Sequence, residues 1–311
     1  MATKYKHKTR RAAARPKGRV GIIGLGIMGG AFARNLVAAG WDVTGFDIRA
    51  SACRTAKAAG VAIAGDAAAV AARCPVIITS LPDPHALHET VAALAAAARK
   101  PLIVAEASTF ALDDKMKSER TLRAAGHIML DCPVSGTGAQ ARVKDIVVYA
   151  SGERAAIRKL KPLFAGFARE VSDLGAFGNG SRMKYVANLL VAIHNVASAE
   201  AMVLGMKAGL DPVQIVKFVG AGAGNSRIFA LRAPMMAKNS YGKATMKLAV
   251  WRKDMAIISA LARKIGVPTP LLDAAQPVYA QAVADGRGAQ DTAAVCAVLE
   301  KAAGLRRARK R

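Results

Sequence analysis

The chain of 311 residues has few cysteines and few aromatic side chains, and both shortages narrow the class of protein. Its four cysteines lie far apart and form no C-x-x-C pair, so neither a disulfide framework nor a zinc site is indicated. We therefore expect reduced thiols and predict no metal site. Aromatic residues make up 5% of the chain while 53% is hydrophobic, which predicts a largely aliphatic core. The length suffices for two domains.

The sequence also lacks an uninterrupted apolar run long enough to cross a bilayer. The longest candidate, residues 185–204, contains two asparagines, a histidine and a glutamate. Residues 1–19 have no apolar core of the kind that a secretory signal needs. We expect no membrane association and a cytoplasmic protein, although the arginine-rich, acid-free N-terminal stretch leaves organellar targeting open.

Acidic residues are scarce, and the formal net charge is +25. Residues 1–19 hold eight Lys or Arg and no acid, and residues 305–311 hold five, so the two ends carry 13 of the 25 charges. Such blocks are usually solvated and disordered. We therefore predict a basic disordered arm at 1–18 and a basic tail at 305–311. Contact of these tails with a polyanion, driven by counterion release, is a second interpretation.

A glycine-rich turn follows the arm. A short β-branched strand breaks into a G-x-G-x-x-G pattern, Gly24-Leu25-Gly26-Ile27-Met28-Gly29, and a helical pattern follows. The first glycine permits the tight turn, the second lets a pyrophosphate approach the backbone, and the third lets helix and strand pack closely. Free N–H groups and the positive dipole at the helix start then hold the phosphates. The motif predicts a dinucleotide-binding site.

The next predicted strand ends in Asp47, 18 residues after Gly29. A carboxylate at this place accepts hydrogen bonds from the adenosine ribose and repels a 2′-phosphate. Arg49, two residues further on, is able to offset that repulsion. We predict NAD as the cofactor and leave NADP open.

The first half of the chain alternates between short apolar strands and helices, which favours a doubly wound parallel sheet. Predicted strands lie at 20–23, 43–46, 76–79, 102–105, 128–130, 145–151 and 169–172. Predicted helices lie at 27–39, 50–59, 67–73, 84–98, 111–124 and 153–165. Together they predict a dinucleotide-binding Rossmann domain over residues 19–178.

The pattern changes at Gly178-Asn179-Gly180, after which the sequence shows almost no strand pattern. Helices are predicted at 181–208, from Pro212 onward, and at 246–265, 271–284 and 289–303, with a glycine-rich loop at 220–224. The fold class is therefore α/β: an N-terminal Rossmann sheet, then an all-helical C-terminal domain (179–304) joined by one long interdomain helix.

Two segments have residues suited to chemistry on a small substrate. Ser135, Gly136 and Thr137 follow a predicted parallel strand, whose carboxyl end faces the ligand crevice, and their N–H and hydroxyl groups suit a carboxylate. An ordinary loop of small residues is the alternative. Lys184 and Asn188 share one face of the long helix near the domain boundary. A lysine whose pKa is lowered by burial exchanges a proton with an alcohol oxygen; a solvated lysine is the alternative.

Taken in order, these motifs resemble those of the β-hydroxyacid dehydrogenase family. The resemblance rests on the glycine-rich turn, residues 131–136, the segment from Gly178 to Asn188, and the pair Lys253-Asp254. It implies NAD(P)-dependent hydride transfer on a small β-hydroxy acid or its semialdehyde. It also implies homodimers or homotetramers in which the long helix packs across subunits. An exposed charge pair is the alternative interpretation of Lys253-Asp254.

The resemblance implies a role for each site residue. Lys184 would be the general acid/base, assisted by Asn188. The substrate carboxylate would lie against Ser135, Gly136 and Thr137. Cofactor contacts would come from Gly24, Leu25, Gly26, Ile27, Met28, Gly29, Asp47, Leu81, Pro82, Thr109 and Lys253.

The sequence departs from the family pattern at two positions. Thr137 stands where a second glycine is usual, which would narrow the pocket and add a hydroxyl. Ala187 replaces the first of two asparagines that often follow the lysine. We therefore do not carry over 3-hydroxyisobutyrate as the substrate. Two other functions stay open: reduction of an imine on the same scaffold, whose members generally lack the lysine, and a non-catalytic polyanion-binding module with a dehydrogenase-like body.

Overall fold

A computed structural model describes residues 16–307. The chain first forms six strands: β1 (Arg19–Ile23), β2 (Asp42–Phe46), β3 (Ala62–Ile63), β4 (Val76–Thr79), β5 (Ile103–Glu106) and β6 (Ile128–Asp131). Five helices connect them: α1 (Ile27–Ala38), α2 (Ala50–Ala58), α3 (Ala67–Arg73), α4 (Pro84–Ala97) and α5 (Leu112–Ala124). All six strands pair in parallel, in the order β3-β2-β1-β4-β5-β6.

This sheet is covered on both faces, as a parallel sheet requires. Phe32 and Leu36 of α1 are buried in the core on one face, and Val91 and Leu94 of α4 in the core on the other. The strand order reverses between β1 and β4, so a crevice opens at their carboxyl ends. The prediction of an N-terminal Rossmann sheet followed by a helical domain is confirmed.

The predicted strands at 145–151 and 169–172 do not extend this sheet. A second, three-stranded sheet contains β7 (Val134–Ser135), β8 (Val147–Ala150) and β9 (Glu170–Asp173). Pro133, which has no N–H to donate to a ladder, lies between β6 and β7, and β8 then pairs antiparallel with β7. Two helices complete this part: α6 (Gly138–Arg142) and α7 (Arg154–Phe164).

The second domain begins with the 29-residue helix α8 (Asn179–Lys207). The helices that follow are α9 (Pro212–Ala221), α10 (Arg227–Ala237), α11 (Leu248–Lys264), α12 (Pro270–Ala282) and α13 (Val295–Ala302). Sequence patterns did not predict α10, which begins where Ser226 accepts a hydrogen bond from the Phe229 N–H at 2.9 Å. By length and composition, α8 is the one helix within residues 16–307 apolar enough to cross a membrane. It packs against α10, α11, α12 and α13, which makes it the central helix of this domain.

Contacts at several places hold the two domains together. At the surface, the Arg227 guanidinium lies 2.7 Å from the Asp145 carboxylate, and Lys264 lies 3.0 Å from Asp113. Asp145 also pairs with Arg169 of its own domain, at 3.1 Å. One carboxylate thus binds two arginines, of which one comes from each domain.

The predicted limits of the basic ends need correction. Residues 1–15 and 308–311 lie outside the described residues. Residues 17 and 18, assigned to the arm, are bound to the body: the Lys17 N–H donates to the Gly40 carbonyl, and Gly18 accepts from Asp42. Arg307, assigned to the tail, pairs with Glu300 and donates to the Ala237 carbonyl at 2.8 Å. Backbone and side-chain acceptors of this kind are brought near only by the folding of the chain.

Candidate active site

Each of the three glycines in the glycine-rich turn has a different structural environment. Gly24 has φ +89°, and a Cβ there would lie 2.1 Å from the Ser80 carbonyl oxygen. A Cβ on Gly29 would lie 1.9 Å from the Gly24 carbonyl oxygen, so α1 packs directly on the turn. A Cβ on Gly26 would meet only the tip of Arg49, at 3.2 Å. The surface above Gly26 is therefore open, which fits the close approach of a dinucleotide pyrophosphate.

Asp47 is fixed beside this turn. Its carboxylate accepts hydrogen bonds from the Leu25 N–H at 2.8 Å and from the Arg49 N–H at 2.8 Å, and the Arg49 guanidinium lies 3.1 Å away. Burial raises the pKa of Asp47, but the hydrogen bonds from Arg49 and Leu25 outweigh it and hold the pKa below the usual range. The carboxylate is thus ionised, and Leu25 and Arg49 fix its orientation.

A buried polar chain runs from the cofactor side of the sheet to α5. The Leu81 N–H donates to the Ser108 hydroxyl at 2.8 Å, and the Ser108 N–H donates to the Glu106 carboxylate at 2.8 Å. Lys115 then lies between two carboxylates, 2.6 Å from Glu106 and 2.8 Å from Asp131. Burial lowers the pKa of Lys115, but the charges of Asp131 and Glu106 prevail and raise it. All three charged side chains are fully buried.

Asp131 also holds the start of α8. Gly178, which precedes the helix, has φ +92° and provides no side-chain cap. The caps come from other elements: the Ser181 N–H donates to Asp131 at 2.7 Å, and the Gly180 N–H donates to the Ser151 hydroxyl at 2.9 Å. These bonds satisfy N–H groups that a helix start otherwise leaves unpaired. The first turn of α8 is therefore fastened to β6 and to the end of β8.

Lys184 lies one turn further along α8. Its side chain is partly buried, and within residues 16–307 its ammonium group has no hydrogen bond or ion pair. Burial lowers its pKa, and the charge of Asp254 opposes that effect. Asn188, one turn on, donates to the Asp254 carboxylate at 3.0 Å. Burial raises the pKa of Asp254, against the opposing effects of Lys253 and Lys184.

Lys253 reaches across from α11 to the first domain. Its ammonium group donates to the Thr109 carbonyl at 2.6 Å and lies 4.9 Å from the centre of the Phe110 ring. The Tyr185 hydroxyl donates to the Phe110 carbonyl. The exposed-pair interpretation of Lys253-Asp254 is therefore wrong, because Asp254 is buried and Lys253 bridges the domains. Lys184, Asn188, Lys253 and Thr109 belong to this one cluster of contacts at the domain boundary.

The predicted substrate loop contacts the glycine-rich turn. A Cβ on Gly138 would lie 2.3 Å from the Ile27 side chain. Gly136 has φ +137°, and a Cβ there would meet Ile146 at 2.6 Å, so no larger residue fits. The Thr137 hydroxyl caps α6 by accepting from the Gln140 N–H at 3.4 Å. This hydroxyl, which we expected to narrow the pocket, is thus engaged in a capping box, and its contact with a substrate stays a prediction.

Sequence reasoning missed two residues of this region, Lys115 and Tyr185, and gave Asp254 no role beyond its place in the Lys253-Asp254 pair. A pattern for Lys115 was present, because it shares the inward face of α5 with Ser118 and Leu122, at helical spacing. For Asp254, no comparable pattern in the sequence indicated that the side chain is buried. Its burial depends on how α11 packs against α8.

A Rossmann sheet with an open glycine-rich turn, joined through a buried helix start to a lysine of lowered pKa, defines a dinucleotide-dependent oxidoreductase. Comparison with known proteins agrees. The profile described as the NAD binding domain of 6-phosphogluconate dehydrogenase matches residues 19–175. The profile described as NAD-binding of NADP-dependent 3-hydroxyisobutyrate dehydrogenase matches residues 178–299.

Individual relatives show the same relationship. L-threonate dehydrogenase of Cupriavidus necator is 34% identical, over 90% of this chain and 95% of its own. The 3-hydroxyisobutyrate dehydrogenase of Mycobacterium tuberculosis with L-serine superposes with a TM-score of 0.83 at 29% identity, over 91% of this chain and 99% of its own. An imine reductase from Pseudomonas sp. shares the fold, with a TM-score of 0.62 at 20% identity, over 91% and 99%.

The chain belongs to the β-hydroxyacid dehydrogenase family and is an NAD(P)-dependent oxidoreductase. The resemblance found in the sequence is thereby confirmed, as is the prediction of an enzyme.

Proposed function

We propose that the protein transfers a hydride between a nicotinamide cofactor and the hydroxyl-bearing carbon of a small β-hydroxy acid, or the reverse on its semialdehyde. When bound, the dinucleotide supplies the hydride acceptor or donor. Lys184 takes the hydroxyl proton in oxidation and returns it in reduction. The observation that carries this assignment is the ammonium group of Lys184, which has no hydrogen bond or ion pair within residues 16–307 and whose pKa is lowered by burial beside Asn188 and Asp254.

The substrate side of the proposal rests on the loop at 135–137. Ser135 offers its hydroxyl and Gly136 its backbone N–H to a carboxylate. The Thr137 N–H donates to the Gln140 side chain at 3.0 Å and so holds the loop in shape. Asn188 is held by Asp254 so that its amide is oriented toward the same side of α8 as Lys184. L-threonate and 3-hydroxyisobutyrate, for which two similar proteins are named, are both small hydroxy acids. This supports the substrate class.

The other cofactor contacts belong to loops that the polar chain orders. Leu81 and Pro82 follow β4, and the Leu81 N–H is fixed by Ser108. Thr109 follows β5, and Lys253 is anchored on its carbonyl. These residues therefore lie along the carboxyl edge of the sheet, where the crevice opens.

Replacing Lys184 tests the proton-transfer role. Lys184→Met should lower kcat for oxidation by a factor of about 10²–10⁴, while NADH binding, followed by fluorescence, stays nearly unchanged. Arg182→Met removes an exposed cation two residues earlier on the same helix and serves as the control. Full turnover by Lys184→Met on an identified substrate would contradict the assignment.

The pH profile gives an independent reading of the same group. Oxidation requires the neutral amine, so kcat/KM should rise as pH increases through the Lys184 pKa, and reduction should fall over the same range. Because burial lowers that pKa, the rise should come at a lower pH than for an ordinary lysine. The rise should vanish in Lys184→Met.

We also propose a preference for NAD over NADP, because Asp47 is ionised at the ribose position. Asp47→Ala should weaken NAD binding more than NADP binding in titrations with both dinucleotides. Asp42→Ala, an exposed acid at the start of β2, is the matched control. Equal losses for the two dinucleotides would contradict the cofactor argument.

The two alternative functions make different demands. An imine reductase of this scaffold would work without the lysine, and the ordered setting of Lys184 favours the hydroxy acid. A polyanion-binding module without catalysis would not need the buried Asn188–Asp254 contact beside Lys184, so this contact favours an enzyme. A screen of small hydroxy acids, semialdehydes and imines, followed by nicotinamide absorbance, separates the three.

A further inference from the structure

The solvent side of α7 holds no acidic residue between Arg154 and Phe164, and one exposed acid, Glu153, lies just before the helix. Its apolar side, including Ile157, Leu160 and Leu163, is buried in the core. Its exposed positions hold four cations, an alanine and a proline: Arg154, Ala155, Arg158, Lys159, Lys161 and Pro162. Arg154, Arg158 and Lys161 recur at helical spacing, so they form a row about 10 Å long.

These cations have no acidic partners in the part of the chain that the structure describes. Within residues 16–307, none of the four forms an ion pair or a side-chain hydrogen bond. Three other exposed cations, in contrast, have an acidic partner: Arg123 pairs with Glu119, Lys264 with Asp113 and Lys301 with Asp285. The positive potential along α7 is therefore not neutralised locally.

The described chain begins next to this row. A Cβ on Gly18 would lie 2.9 Å from the Trp41 ring, and a Cβ on Gly166, just after α7, would lie 3.5 Å from the same ring. Lys17 and Arg19 are exposed there. Residues 1–15, outside the described part, add six more Lys or Arg to this end of the chain and no acid.

The residue types on the solvent side of α7 favour some kinds of anionic partner over others. It exposes no large apolar side chain that would enter a bilayer, as membrane-surface helices do. It exposes no aromatic ring on which unpaired bases would stack. A row of point charges without apolar or aromatic groups suits a regular array of phosphates.

We propose that α7, together with residues 17–19, binds the phosphate backbone of double-stranded DNA without sequence specificity. Lys and Arg neutralise phosphates and release condensed counterions, which makes the affinity strongly salt-dependent. The proposed surface contains none of the residues assigned to catalysis or to the cofactor. It is therefore independent of the hydroxy-acid function.

The test compares two triple substitutions in the full chain. One variant carries Arg154→Gln, Arg158→Gln and Lys161→Gln. The control carries Lys117→Gln, Arg120→Gln and Arg123→Gln on α5, which packs against the other face of the six-stranded sheet. Both remove the same charge from exposed positions. Binding of a fluorescently labelled DNA duplex is followed by anisotropy over a range of salt concentrations, with NADH binding as the check of folding.

The unaltered chain should bind the duplex, with log K falling linearly with log salt. The α7 variant should reduce the magnitude of that slope by about 3, one for each lost phosphate contact. The α5 variant should leave the slope close to that of the unaltered chain. Equal losses in both variants would overturn the proposal, since net charge alone would then explain binding. Absence of binding by the unaltered chain at low salt, or stronger binding to anionic lipid vesicles, would overturn it as well.

Discussion

At the scale of single residues, three glycines of one motif are required for different reasons. Gly24 needs a positive φ, Gly29 needs contact with the Gly24 carbonyl, and Gly26 needs only an open surface above it. The first two requirements come from the protein itself. The open surface at Gly26 is needed only for ligand binding. Substitutions at Gly29 should therefore affect the stability of the fold, and substitutions at Gly26 should affect dinucleotide binding.

Alanine substitutions test that separation. Gly29→Ala should destabilise the fold by about 1–3 kcal/mol, because its Cβ would overlap a backbone oxygen that cannot move away easily. Gly26→Ala should unfold at nearly the normal temperature, since Arg49 can turn aside, yet bind NAD at least tenfold more weakly. Calorimetry and dinucleotide titration give the two readouts. Normal NAD binding by Gly26→Ala would contradict the assigned role.

The sequence was informative for some site residues and silent for others, for a physical reason. Gly26 and Asp47 follow from a motif whose spacing encodes a local backbone shape. The capping role of the Thr137 hydroxyl is also local, and Gln140 three residues later signals it. Asp254 is different, because its burial arises from contact between helices 66 residues apart in the chain.

At the scale of elements, α8 depends on caps that its own sequence does not supply. Ser151 and Asp131 cap its first turn, and Lys115 compensates the Asp131 charge in turn. Breaking such a buried charge group by removing one partner typically costs about 3–5 kcal/mol. Helix patterns therefore predicted α8 within two residues of its start, but they gave no information about what orients it.

The surface contact between α10 and the loop before β8 gives a second prediction at this scale. Asp145 binds Arg227 and also accepts from Gln140, the partner of Thr137 in the capping box. Arg227→Ala should therefore raise KM for the hydroxy acid, by about threefold, with little change in unfolding temperature because the pair is largely exposed. The measurement is steady-state kinetics with the substrate that the screen identifies.

Arg169→Ala is the control for that experiment. Arg169 binds the same carboxylate at 3.1 Å but belongs to the same domain as Asp145. Its removal should leave KM unchanged. A similar rise of KM in both variants would assign the effect to Asp145 itself and not to the contact between domains.

At the scale of the whole molecule, a large apolar surface remains exposed on the helical domain. Val186 and Leu190 share one side of α8 at i, i+4 spacing, and both are about half exposed or more. Val213 and Phe218 of α9 are exposed as well. Exposed apolar side chains of this kind suit protein association, as the expected packing of the long helix across subunits would require.

Introducing carboxylates on this apolar surface of α8 should prevent the predicted homo-oligomer from forming. Val186→Glu with Leu190→Glu should convert a dimer or tetramer into monomers, because two carboxylates would be buried in the interface. Light scattering coupled to gel filtration measures the mass. Val267→Glu, at an exposed apolar position after α11, is the control and should not change the mass. A monomeric unaltered chain would contradict the predicted homo-oligomer.

Much of the architecture was accessible from the sequence because the elements are long or strongly periodic. The six parallel strands were predicted except for the two-residue β3. The second sheet was not separated from the first, since pairing between distant strands leaves no local pattern. Helix α10 was missed because three glycines precede it, and the start is marked only by Ser226.

The fastening of the first turn of α8 to β6 and β8 has a consequence for any opening of the crevice. Ser181 and Gly180 hold Lys184 to the Rossmann half through buried bonds. The partly or fully exposed contacts of Lys253 and Arg227 are the ones that break first when the halves swing apart. Asp254 would stay with Lys184, because α11 packs against α8 and Asn188 of α8 donates to the Asp254 carboxylate through a buried bond. Opening would thus admit ligands without separating the lysine from the anion that opposes the fall of its pKa.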